Sequence, residues 1–138
     1  LMSLGIPLNT DSTLKGQTVF LAERCGELMH DNIITDRTIL DVMAFTMNAK
    51  SIPYQDKEAF ETYASEFIRE YDHIFYISPH GLEIEDNGIR ETDEHYRDLI
   101  DFTITTLIKR HGHKAGTIEK ISGSTEERIQ QILNVTKL

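Results

Sequence analysis

A chain of 138 residues is long enough to close one domain around a real core and too short to expect two. With 27% charged and 39% hydrophobic residues it is composed like a soluble globular protein, which excludes a disordered chain. A net charge of −9 argues against a general nucleic-acid or membrane-surface binder, because phosphate-rich partners reward a basic face.

Cys25 is the single cysteine, so neither an intramolecular disulfide nor a multi-cysteine zinc site is open to the chain. That fits a reducing, cytoplasmic setting, with Cys25 packed on the apolar side of a helix. No apolar run approaches the ~20 residues of a membrane span, and no signal peptide with a basic start is visible. The opening "LMSLGIPLNTDSTLKGQ" begins with Leu1 and reads like the tail of a helix, so a longer polypeptide is expected.

In chain order, Leu14, Thr18, Leu21, Ala22, Cys25, Leu28 and Met29 recur at helical spacing and predict a helix over 12–30. "NIITD" then reads as a short buried strand ending at Asp36. A second helix is expected over 37–50, broken by Ser51-Ile52-Pro53, and a third over about 55–71, with Phe60, Tyr63, Ala64, Phe67 and Tyr71 on one face. "HIFYIS", 73–78, is the clearest strand, ended by Pro79 and Gly81. An Asn-Gly in the acidic loop that follows suggests a small hairpin, hence a flap or lid over about 79–97.

A long helix over about 92–111, a strand over 116–122 and a terminal helix complete the pattern. Ser124 and Glu127 form the signature of a capping box at the start of that last helix. Helices alternating with short apolar strands predict a single α/β domain over 1–138 with a mainly parallel sheet. Three strands make a small sheet, as though a first strand were missing. Tyr63, Tyr71, Tyr76 and the phenylalanines are expected in the core.

In open α/β sheets the ligand crevice lies outside the carboxyl ends of the strands, which is where Asp36 and Arg37 are expected. The two also admit a structural role, with Asp36 capping the next helix and Arg37 pairing with Asp41 four residues on. Arg90 falls in the flap and Arg97 in the first turns of the long helix. A planar, permanently charged guanidinium suits a flap that closes on phosphates. Asp86, Glu91, Asp93 and Glu94 nearby would equally make a solvated loop of surface ion pairs. His111 and His113, two apart at a helix end, make no metal site without further ligands.

The stretches "DRTILDVMAF", "DNGIRETDEHYR" and "ISGSTEERIQQIL" together resemble the P-loop kinases of nucleosides and nucleotides. Within them, the chain resembles the AAA-type ATPase/kinase family that includes ribosylnicotinamide kinase domains, over about residues 12–136. The resemblance implies a P-loop kinase-like parallel sheet flanked by helices, incomplete at its N-terminus, and ATP-dependent phosphoryl transfer to a nucleoside, nucleotide or related small acceptor, with Mg²⁺. It implies that Asp36 acts near the acceptor hydroxyl or in the metal shell, and that Arg37 holds the acceptor. Arg90 and Arg97 would be lid arginines, and Gly123 and Ser124 would lie by the adenine.

No G-x-x-x-x-G-K-[ST] occurs in the 138 residues. A kinase reading therefore expects an upstream strand, phosphate loop and helix of some ~30–50 residues. The reading that competes with it is a non-catalytic module that binds a nucleotide or a partner on the same scaffold. A nucleotide hydrolase or a repair-type polynucleotide kinase is a third possibility, the last disfavoured by the acidic balance.

Overall fold

The structure is a computed structural model that describes residues 9–79 and 94–137. Its main elements are α1 (Leu14–Glu27), α2 (Ile39–Met47), α3 (Tyr54–Ser65), β1 (His73–Ile77), α4 (Glu94–His111), β2 (Thr117–Ile121) and α5 (Thr125–Thr136). Short 3-10 turns at Glu66–Glu70 and Gly112–Lys114 lead from α3 toward β1 and from α4 toward β2.

β1 and β2 pair in parallel, from His73 opposite Thr117 to Ile77 opposite Ile121, with α4 as the connection between them. Parallel strands need such a long crossover, and the helix it supplies covers the sheet. Where β2 begins, the Thr117 amide donates to the Asp72 carbonyl at 2.9 Å. A Cβ at Gly116 would fall on that same carbonyl oxygen, so the close approach requires glycine.

The core is built around α2. Ile39, Leu40, Val42, Met43, Ala44 and Thr46 are buried, so this nine-residue helix is enclosed on nearly every side. Around it pack Leu21 of α1, Phe60 and Ala64 of α3, Ile74 of β1, and Tyr96, Ile100 and Leu107 of α4. Burying a Leu- or Ile-sized side chain contributes ~1.5–3 kcal/mol, so this enclosure dominates the stabilising side of the fold.

Polar links set the angles between helices. Gln17 of α1 donates to the Val42 carbonyl and the Thr46 hydroxyl of α2, at 3.3 and 3.0 Å. Asn48 donates to Thr103 of α4 at 2.9 Å. Tyr76 of β1 donates to Asp101 of α4, and burial together with that carboxylate pushes the phenol up to about 12.

The strand expected over 32–36 does not form. No backbone-to-backbone hydrogen bond engages residues 31–37 among the described residues. Left-handed backbone at Asn32 (φ 56°) and Arg37 (φ 75°) interrupts extension at both ends. Ile34 is 96% exposed. An apolar run becomes a buried strand only when neighbours take its amides, and none is placed to do so here. The described sheet therefore has two strands where the sequence pattern predicts three.

The other expectations fall close to the observed elements, with α3 giving way to a 3-10 turn where a single helix to residue 71 is predicted. Cys25 is half-buried against the core, and burial pushes its thiol up. Tyr63 and Phe102, expected inside, are exposed. No described helix is long and apolar enough to cross a membrane.

Glu61 of α3 joins α3 to α4. Its carboxylate accepts from Arg110 at 2.7 Å and from His111 at 2.8 Å, and its side chain is 12% exposed. Burial opposes the charge, but the bonds from Arg110 and His111 outweigh it and hold the carboxyl below its usual 4.5. A depressed carboxyl contributes stability that is complete above the unfolded value and lost as pH falls through the folded one. Glu61→Gln should therefore lower unfolding free energy by about 1–2 kcal/mol at neutral pH, and urea melts of the two proteins should converge below about pH 4.

Candidate functional site

The segment between α1 and α2 carries Asp36 and Arg37, and its far end is tightly held. Thr38 caps α2: its hydroxyl accepts from the Leu40 amide at 3.0 Å, and its own amide donates to the Asp41 carboxylate at 2.8 Å. The next amide, Ile39, donates to the Tyr71 hydroxyl at 3.1 Å. Burial pushes the Tyr71 phenol up to about 12, so it stays neutral. Thr38, and not Asp36, is thus the cap, and the first amides of α2 are already spoken for.

Asp41 does not form the ion pair with Arg37 that the i,i+4 spacing suggests, because its carboxylate is turned to the Thr38 amide. Burial pushes its carboxyl up against the pull of that amide and of the Arg37 and Arg24 charges.

Arg37 and Asp36 both stand exposed. The Arg37 guanidinium lies over the Phe45 ring, 5.8 Å from its centre, a cation–π contact. Asp36 is positioned through its main chain: Arg24 of α1 donates to its carbonyl at 3.3 Å while gripping Glu27 at 2.9 Å.

Two hollows flank this segment. Gln17, Phe20, Arg24, Arg37, Asp41 and Phe45 line most of a cleft of about 230 Å³ between α1 and α2. Arg24, Glu27, His30, Ile33, Ile34 and Asp36 line most of an open depression of about 470 Å³ beside it.

Arg97 sits on α4 next to Tyr96, whose ring lies 6.3 Å from that of Phe45. Arg37, Phe45 and Tyr96 therefore run in sequence from the α1–α2 segment to α4. The Arg97 guanidinium folds back on Asp98 at 3.2 Å and is 25% exposed. Arg90 and most of the expected lid lie outside the described residues.

Gly123 and Ser124 form the turn before α5, with the expected capping box: the Ser124 hydroxyl accepts from the Glu127 amide at 3.1 Å, and the Ser124 amide donates back to the Glu127 carboxylate at 3.1 Å. Gly123 has φ 98°, and a Cβ there would crowd that carboxylate at 3.1 Å. The turn's glycine and serine are accounted for by the cap itself.

Sequence reasoning did not single out Gln17, Phe20, Arg24 and Phe45. For the first three the signal is the buried stripe of α1, which runs through Gln17 and Leu21 with Phe20, Cys25 and Leu28 beside it, while Thr18 and Ala22 face outward; Phe45 lies on α2, half-buried against the core. A glutamine inside such a stripe marks a polar link.

The family model described as "AAA domain" matches residues 13–128. The chain belongs to the AAA domain family. The match takes in Asp36, Arg37, Arg90, Arg97, Gly123 and Ser124. No curated protein and no solved structure matches the chain. AAA domains are nucleotide-binding domains of the P-loop NTPase class, which generally take ATP with Mg²⁺.

A triphosphate needs a cradle of free amides and a lysine; at the start of α2 the Ile39 and Leu40 amides are taken by the Tyr71 and Thr38 hydroxyls, and at the start of α5 the Glu127 amide is taken by Ser124. Among the described residues no group of three or more His, Cys, Asp or Glu side chains could hold a metal. The start of α2 therefore offers a triphosphate no cradle, and Mg²⁺, which needs only one or two carboxylates when phosphates and waters complete its shell, would depend on the nucleotide for most of its ligands.

The left-handed backbone of Arg37 gives a direct test. A non-glycine residue held there costs ~1–2 kcal/mol. Arg37→Gly should therefore be more stable in urea denaturation than Arg37→Ala, by about 1 kcal/mol. Equal stability would show that this backbone relaxes at no cost.

Proposed function

We propose that this AAA domain provides the acceptor side of a phosphoryl-transfer site, in a kinase of the nucleoside and nucleotide type similar to ribosylnicotinamide kinase domains. The observation that carries the reading is the Asp36-Arg37 pair, exposed with Arg37 on the α1–α2 cleft and Asp36 on the open depression beside it, and positioned by Arg24 and by the capped start of α2. Such transfer depends on positioning and on cations placed around the reacting oxygens.

In this reading Arg37 holds the acceptor, and Asp36 orders either its reacting oxygen or the water shell of Mg²⁺. Arg97, which follows Tyr96 on α4, supplies charge together with Arg90. Gly123 and Ser124 flank the adenine. ATP is held by residues outside those described. The unit acts in the cytoplasm on a small-molecule acceptor, as one α/β domain with its lid over about 79–97.

A second reading, a binding module without chemistry, draws support from the start of α2, where the Ile39 and Leu40 amides are taken by side chains. Mutant kinetics separate the two. In the protein carrying the activity, Asp36→Asn should reduce kcat at least about 100-fold, as for loss of a positioned proton-transfer or metal-ordering group. Arg97→Ala should reduce it about 10-fold or more with the urea midpoint nearly unchanged. Full turnover in Asp36→Asn would remove that residue from the mechanism. ATP binding without any transfer, across a panel of nucleosides and nucleotides, would favour the module.

A further inference from the structure

Among the described residues α5 is the only α-helix with no buried side chain. Its inner stripe is half-buried and runs through Arg128, Gln131, Ile132 and Val135 at helical spacing. Gln131 fixes that side toward β2, accepting from the Ser122 amide at 3.2 Å and donating to the Ser122 carbonyl at 2.7 Å. The outer side then carries Ile129 and Leu133, one turn apart and 51% and 37% exposed. A twelve-residue helix is marginal in water by itself and takes most of its stability from packing an apolar face. Here Ile132 and Val135 have a surface to pack on, and Ile129 and Leu133 have none.

The sheet is open in the same sense. Side chains alternate along a strand, and Tyr76 turns to Asp101 of α4, so Phe75 and Ile77 stand on the opposite face. Ile77 is 41% exposed there, although Ile121, its partner in register, is buried. Parallel sheets are ordinarily covered on both faces.

The charges on the outer stripe say what fits it. Glu126 lies three residues before Ile129, and Lys137 lies four after Leu133, at the left-handed residue that ends the helix. Both are exposed, and neither has an ion-pair partner among the described residues. Their neighbours are committed: Glu127 to the Ser124 amide, Arg128 to the Ser124 carbonyl and the Thr125 hydroxyl, and Gln130 to Asn134. The stripe therefore reads acid, isoleucine, leucine, base. Laid antiparallel on a second copy of itself, it sets Ile129 beside Leu133 and Glu126 beside Lys137, each twice across a two-fold axis. A parallel pairing would set like charges together.

We infer that α5 is a self-association surface, pairing antiparallel with α5 of a second copy of this chain through Ile129 and Leu133, with a Glu126–Lys137 pair at each end. Twelve residues make a helix only ~18 Å long. The contact therefore falls short of the ~1,000 Å² of a stable interface, and the dimer is weak and concentration-dependent. The inference does not rest on the kinase reading, because no residue placed in that site takes part.

The test is sedimentation equilibrium of the full chain up to about 1 mM, at about 0.15 M salt, which screens the mutual repulsion of two chains of charge −9 more than it screens a contact pair. The average mass should rise from monomer toward dimer. Ile129→Gln combined with Leu133→Gln should weaken association about 10-fold or more. Glu126→Lys alone and Lys137→Glu alone should each weaken it about 10-fold, since both end pairs become repulsive. An equal mixture of those two charge variants should associate to within about 2-fold of the unaltered protein, because the charges that clash in each variant are complementary between them. That recovery also shows that both variants are folded.

A monomer at every concentration overturns the inference. So does association that survives the Ile129 and Leu133 changes, which would place the contact on another surface. Association that is unaltered in either charge variant, or a mixture that stays monomeric, overturns the antiparallel pairing and the inference with it.

Discussion

The hydrogen bond from the Ile39 amide to the Tyr71 hydroxyl is the joint on which the arrangement turns. It ties the start of the central buried helix to the residue that leads into β1, thirty-two positions along the chain. With the Thr38–Asp41 cap it fixes where α2 begins, and therefore where the chain just before it must run. A buried phenol left without this partner would lose a hydrogen bond on both sides. Asp36 and Arg37 inherit their position from the joint, although neither side chain takes part in it.

Enclosure and exposure divide the molecule in a functional way. The described core is a helix wrapped by three others and a two-stranded sheet, and it is rigid because nearly all faces of α2 are packed. Of the polar groups set into that core, Gln17 and Thr46 bond to each other, and Ser65 accepts from Lys114 at its edge. The charged groups with chemical capacity lie at the rim, on the α1–α2 segment and at the beginning of α4. Rigid elements carrying reactive groups on connecting segments is the usual division of labour in α/β folds.

Much of this was legible in the sequence, and the exceptions share a cause. The helices, the parallel pairing of "HIFYI" with "TIEKI" and the Ser124–Glu127 cap are local patterns, each satisfied within a few residues or by one neighbour. "NIITD" misleads because its composition describes a strand's interior but says nothing about who pairs with it. Tyr63 and Phe102 mislead because periodicity locates a stripe without saying how wide the covering neighbour is. The α1 face was read about one residue off, since Gln17 counts as polar in any pattern and yet lies at its centre. The AAA domain match agrees with the α/β pattern.

Arg24 belongs to both hollows at once, lining the smaller cleft and the larger depression as the partition between them. Its guanidinium is held on Glu27 and the Asp36 carbonyl. A ligand that drew it toward one side would enlarge the other, and by thermodynamic reciprocity a ligand on the other side would alter the first affinity by the same factor. Two ligands separated by that one side chain would therefore be coupled without any domain motion.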